Sequence, residues 1–126
     1  MRIIQISDLH FGMHEQAIID PFLQDLRQLQ PERVIISGDV TQRALPGQYL
    51  LFQDFLKQLP PALVVPGNHD IPLYDFYERL INPFKNYRRY VSPELEAHFI
   101  NDKINILGVN SVTPYKLKDG LLSKKT

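Results

Sequence analysis

Three short apolar runs, each ending in a polar cluster and spaced about thirty residues apart, constrain this chain more than any other feature. Arg2 to Ser7, Arg33 to Ser37 and Ala62 to Val65 are rich in Ile and Val and read as buried strands. They run into Asp8-Leu9-His10, Gly38-Asp39-Val40 and Gly67-Asn68-His69-Asp70. Between them, Gln16 to Leu29 carries apolar residues at 18, 19, 22, 23, 26 and 29, which is helical spacing, and Pro31 closes it. Gln48 to Leu59 repeats the pattern, with Pro60-Pro61 as the stop. Strand–helix–strand–helix–strand with intervals of this length predicts a parallel βαβαβ sheet with crossover helices. In such a sheet, ligands collect at the carboxyl ends of the strands, where the three clusters fall.

After Asp70 the texture changes. Residues 71 to 91 are rich in Tyr, Phe, Pro and Asn and predict short helices. Ala97 to Ile100 and Lys103 to Val109 flank Asn101-Asp102, which predicts a β-hairpin. Gly120 to Ser123 predicts a turn into another helix, with Ser123 as its N-cap. With 126 residues, the expectation is one domain over 1–126.

The composition narrows the functional classes. Lys plus Arg equals Asp plus Glu at 14 each, so there is no broad basic field for nucleic acid. Cysteine is absent, which excludes thiolate metal sites and disulfides. No apolar run approaches a membrane span, and the strand-like run at Ile3 leaves no room for a signal peptide. The expectation is a cytoplasmic protein with no membrane or nucleic-acid partner.

The clusters combine carboxylate, amide and imidazole, a donor set for hard or borderline divalent cations. Asp8 and His10 are two residues apart, so an extended strand end puts both side chains on one face. A carboxylate at Asp39 can bridge two ions, and Asn68 can offer its amide oxygen to the second. His69 would stand beside a leaving group as general acid, with Asp70 orienting it and stabilising its charge. His14 and His98 read as structural or solvated residues. Tyr74, Phe76, Tyr77, Phe84, Tyr87 and Tyr90 read as a satellite core rather than a base-stacking cap.

Asp8-x-His10, Gly38-Asp39 and Gly67-Asn68-His69-Asp70 together resemble the first three motifs of the calcineurin-like metallophosphoesterases. Ile6 to Gly12, Gly38 to Thr41 and Asn110-Ser111 resemble its cyclic-nucleotide phosphodiesterase-like branch. The resemblance implies the N-terminal half of an α/β/β/α sandwich and metal-dependent hydrolysis of phosphomonoesters or phosphodiesters, a nucleotide among the candidate substrates. It implies two divalent ions (Mn, Fe, Zn or Mg) on Asp8, His10, Asp39 and Asn68, with His69 as proton donor or phosphate binder. The family places two further histidine motifs downstream, and this sequence carries only His10, His14, His69 and His98. The expectation is a truncated member with incomplete metal occupancy. The alternative is an inactive half-domain that self-associates through an uncovered sheet, or an oligomer in which His98 or His14 of a neighbour completes the site.

Overall fold

The computed structural model describes residues 1–73, 75–115 and 122. The expected helix at Ser123, and Tyr74 of the aromatic group, lie outside the described residues.

Strands β1 (Ile3–Ile6), β2 (Arg33–Ser37) and β3 (Ala62–Val65) form one parallel sheet in the order β1-β2-β3. Helix α1 (Gln16–Leu29) connects the first pair and α2 (Pro46–Leu56) the second. The register aligns Ile4 with Val34 and Val34 with Ala62, then Ile6 with Ile36 and Ile36 with Val64. Because side chains alternate along a strand, these six residues share one face. That face carries the core: Val34 and Ile36 are fully buried, with Leu23 and Leu26 of α1 and Tyr49, Phe52 and Phe55 of α2 packed in the same cluster. Phe22 of α1 stacks on Phe55 of α2 with ring centroids 6.4 Å apart, so both crossovers lie on the same side.

The helix ends follow local chemistry. Helix α1 has the expected bounds and stops at Gln30, whose left-handed conformation returns its amide to the Leu26 carbonyl. Helix α2 begins at Pro46, two residues before the expected Gln48. Proline suits that first helical position, where no backbone donor is missed.

Two short helices follow, α3 (Phe76–Ile81) and α4 (Lys85–Tyr90). Asn86 donates to the Ala44 carbonyl and Gln53 to the Tyr90 carbonyl, which fastens α4 to α2 and to the loop before it. Tyr87 is buried against Tyr49, and Tyr90 stacks on Tyr49 at 5.8 Å, so these rings join the main core rather than the expected satellite. Phe76 and Tyr77, by contrast, are exposed.

Strands β4 (Ala97–Ile100) and β5 (Asn105–Gly108) form the antiparallel hairpin. Asn101 organises its four-residue loop by accepting the amides of Lys103 and Ile104 on its side chain. The hairpin packs on the face of the sheet opposite the helices. Arg33 of β2 places its guanidinium 4.1 Å from the centre of the Phe99 ring, and Gly108 stands so close to Val65 that a β-carbon there would lie 2.7 Å from Cγ1. The order helices, parallel sheet, hairpin agrees with the half-sandwich that the resemblance implies.

Ile36 lies at the centre of the core row, and truncating it leaves a cavity that the sheet cannot close. Ile36→Ala is expected to lower stability by about 3 kcal/mol, read as a shift of the urea midpoint at unchanged m-value.

Candidate metal centre

The site is assembled by the loops that follow the three strands. Beyond Ile6 the chain does not stay extended, contrary to the expectation for Asp8 and His10. Asp8 and His10 both take left-handed backbone conformations (φ 57° and 49°), as does Asp39 (φ 53°). Such angles are uncommon outside glycine and cost energy that the surroundings must offset. Here the offset is a zipper between the first two loops. The Asp8 amide donates to the Gly38 carbonyl, His10 to Asp39 and Phe11 to Val40, while Gln42 donates back to Phe11. A parallel bridge between Phe11 and Thr41 closes it.

Asp70 fastens the third loop to the second. Its carboxylate is fully buried. One oxygen accepts the amides of Gly67 and Val40, and the other accepts the amide and hydroxyl of Thr41. Burial pushes the carboxyl up to about 6, against the pull of these hydrogen bonds. Tyr49 of α2 donates to the Asp70 carbonyl at 2.7 Å. The role expected for Asp70, orienting His69, falls instead to a main-chain group: His69 Nδ1 lies 2.9 Å from the Gln42 carbonyl oxygen, which also accepts from Arg43. With Nδ1–H directed at that oxygen, Nε2 is the nitrogen left for other chemistry.

These constraints bring the expected side chains together. His10 Nε2 is 3.5 Å from Asp8 Oδ1 and 3.8 Å from Asp39 Oδ2. The other oxygen of Asp39 accepts the His69 amide at 2.9 Å, so the carboxylate spans both halves of the site. His10 and His69 meet edge to face at 4.8 Å between ring centres. His10, Asp39 and His69 each present a ligand atom within 4.8 Å of the others. Asp8, His10, Asp39, Asn68 and His69 all line one cavity of about 570 Å³, with Gln42 and Arg43 beside them. Asp70 lies behind its wall. The Ser7 hydroxyl, 2.6 Å from Asp8, is the main cause that holds the Asp8 carboxyl below its ordinary value.

The donor set fits a divalent cation. Metal–ligand bonds of about 2.0–2.2 Å put neighbouring ligand atoms some 3–3.5 Å apart, close to the separations around His10 Nε2. His10 Nδ1 is buried without a hydrogen-bond partner among the described residues, so the ring's exposed chemistry is at Nε2. The glycines serve close approach. A β-carbon on Gly67 would collide with the Asp39 amide nitrogen and carboxylate, and Gly38 combines φ 96° with near contact to Gly67.

His14 packs against Phe11, and His98 bonds Asn105 on the outer face of the hairpin; neither lines the cavity. Gln42 and Arg43 were missed by residue type, since the Gln42 contribution is a carbonyl, which any residue would offer.

A carboxylate–imidazole cluster at the carboxyl end of a parallel sheet is a candidate metal centre in a layered α/β fold. The chain belongs to the calcineurin-like phosphoesterase family, whose model matches residues 1–123. The family is metal-dependent, and His10, Asp39 and His69 could hold an ion. The chain is 30% identical over 82 residues to a probable cyclic nucleotide phosphodiesterase of Synechococcus sp., covering 57% of this chain and 32% of the relative. It is 32% identical over 138 residues to a probable glycerophosphodiester phosphodiesterase GpdQ of Arcobacter nitrofigilis, covering 99% and 49%. With a subunit of the nuclease SbcCD of Staphylococcus epidermidis it shares 26% over 132 residues, covering 90% and 33%. The chain thus spans about a third to a half of the length of these curated relatives. Among the described residues, no helix is long and apolar enough to cross a membrane.

Asp70→Asn keeps the shape but swaps one acceptor oxygen for a donor facing two donors. The expected loss is about 3 kcal/mol of stability, measured by urea denaturation. An unchanged midpoint would show that the carboxylate does not hold the loops together.

Proposed function

We propose that this chain carries part of a two-metal phosphoesterase site, hydrolysing phosphomonoesters or phosphodiesters. The observation that carries the reading is the convergence of Asp8, His10, Asp39, Asn68 and His69 on one cavity in a chain of this family. Asp8, His10 and Asp39 would hold one divalent ion (Mn, Fe, Zn or Mg) and Asp39 and Asn68 the other. When bound, such ions polarise a phosphoryl oxygen and lower the pKa of water. Asp39 is suited to serve both, because its two oxygens face different halves of the site. In its imidazolium form, with Nδ1–H on the Gln42 carbonyl, His69 would donate the Nε2 proton to the departing alkoxide and be left as the neutral Nδ1–H ring. Asp70 acts at one remove, fixing the loop on which Asn68 and His69 stand. The names of the relatives divide among cyclic nucleotides, glycerophosphodiesters and nucleic acid, and a nucleotide is one substrate class the reading admits.

The test is hydrolysis of bis-p-nitrophenyl phosphate by metal-stripped protein with and without added Mn²⁺. Mn²⁺-dependent turnover is expected, abolished in Asp39→Asn. In His69→Gln, kcat is expected to fall by about 10²–10⁴. Wild-type turnover no higher than that of Asp39→Asn would overturn the reading.

One observation favours a second reading, a self-associating unit without activity of its own. Ile100 and Leu107 are 62% and 59% exposed on the outer face of the hairpin. Light scattering at rising concentration separates the two readings: dimers without turnover support the second, and a monomer with turnover the first.

A further inference from the structure

Helix α3 is built inside out. Phe76 and Leu80, and Tyr77 and Ile81, are four residues apart, so they stack as two neighbouring columns along one side of the helix. Glu78 and Arg79 fall on the other side. A surface helix ordinarily turns its apolar side to the core and its charges to water. Here Phe76, Tyr77, Leu80 and Ile81 face out and are 53% to 72% exposed. The charged side faces in. Arg79 is buried and donates to the carbonyls of Pro72 and Pro114, each at 2.8 Å, and Glu78 is partly buried, 4.0 Å from Lys85.

These bonds decide which side is outward. Turning the helix over to bury the four apolar residues would pull the Arg79 guanidinium off two main-chain carbonyls, and hydrogen bonds from a charged donor are the stronger kind. Asp75 caps the helix by accepting the Glu78 amide at 3.1 Å. The exposed apolar face therefore belongs to a formed and anchored helix.

The size of the face and the charges around it select the occupant. The four side chains present on the order of 500 Å² of mostly apolar surface, near the upper end of what a monomer leaves open. That is more than half of the roughly 800 Å² per partner of a standard interface. Aromatic side chains are enriched at the centres of such interfaces. From residue 75 to residue 85 the charges are Asp75, Glu78, Arg79 and Lys85, two of each sign, so no basic excess draws this face to an anionic membrane. The whole chain is likewise neutral, with 14 basic and 14 acidic residues, and two copies meet without net repulsion.

We propose that α3 is a docking face for a second copy of this chain, paired about a two-fold axis with the two helices antiparallel. A two-fold contact uses the same patch on both copies, and antiparallel packing opposes the helix dipoles. With the axis at the middle of the helix, Phe76 of one copy meets Ile81 of the other, and Tyr77 meets Leu80. This face shares no residue with the hairpin, and pairing through it is independent of turnover.

Sedimentation equilibrium and chemical cross-linking test it. The mass of the wild-type protein is expected to double with rising concentration, with a Kd on the order of micromolar. Ile81→Lys and Tyr77→Glu should each raise that Kd at least about tenfold with the far-UV circular dichroism unchanged. Ile100→Lys and Leu107→Lys on the hairpin should leave it in place. The sequence has no cysteine, so single cysteines report the register. A short bismaleimide should join a mixture of Tyr77→Cys and Leu80→Cys proteins more readily than either alone. A wild-type protein that stays monomeric at about 0.5 mM would overturn the inference. So would a dimer that survives both α3 variants or is lost in the hairpin variants, or cross-linking no greater in the mixture. A monomer that instead pellets with phosphatidylserine vesicles through the same residues would hand the face to lipid and overturn it too.

Discussion

The buried carboxylate of Asp70 is the interaction on which the site depends. A backbone amide that leaves a strand must find an acceptor, and loops packed together at the end of a sheet have few. Asp70 supplies two oxygens that take three amides and a hydroxyl from two different loops. Tyr49 then anchors the same residue to α2 through its carbonyl. With the second and third loops joined, Asp39 can hold the His69 amide while its own carbonyl holds His10. The candidate ligands are thus positioned mainly by hydrogen bonds to main-chain atoms, and their side chains are left to face the cavity.

The sheet makes this arrangement reachable. Parallel strands joined by helices on one face deliver every loop after a strand to the same end. The core row from Ile4 to Val64 fixes the register, since a slip of one residue would turn Val34 and Ile36 away from the helices. The opposite face, carrying Arg33 and Val65, is covered in part by the hairpin.

Most of this architecture could be read from the chain. Ile-rich and Val-rich runs marked the three strands, and helical spacing with Pro31 marked the bounds of α1. The convergence of the polar clusters followed from their place after successive strands. Three things were not legible. Asp8 and His10 were expected on an extended strand end, but the amides of the neighbouring loop draw them into left-handed conformations, a tertiary effect invisible in local sequence. Asp70 was expected to act on its neighbour His69, whereas the short turn over Asn68–Asp70 points its carboxylate back at Gly67 and across to Thr41. The true partner of His69 is a carbonyl, and carbonyls carry no signature in a sequence.

The left-handed backbone at Asp8, His10 and Asp39 has a consequence for how the chain would drift. Each such residue costs roughly 1–3 kcal/mol relative to a relaxed backbone, and glycine at the same place would avoid that cost. These three candidate ligand positions are therefore also positions where the native side chain opposes folding. A copy of this domain released from any demand on its cavity would gain robustness by replacing these three residues first. The sheet and its helices would persist long after the cavity had lost its charge, so stability and ligand set would part company at these three backbone positions before anywhere else.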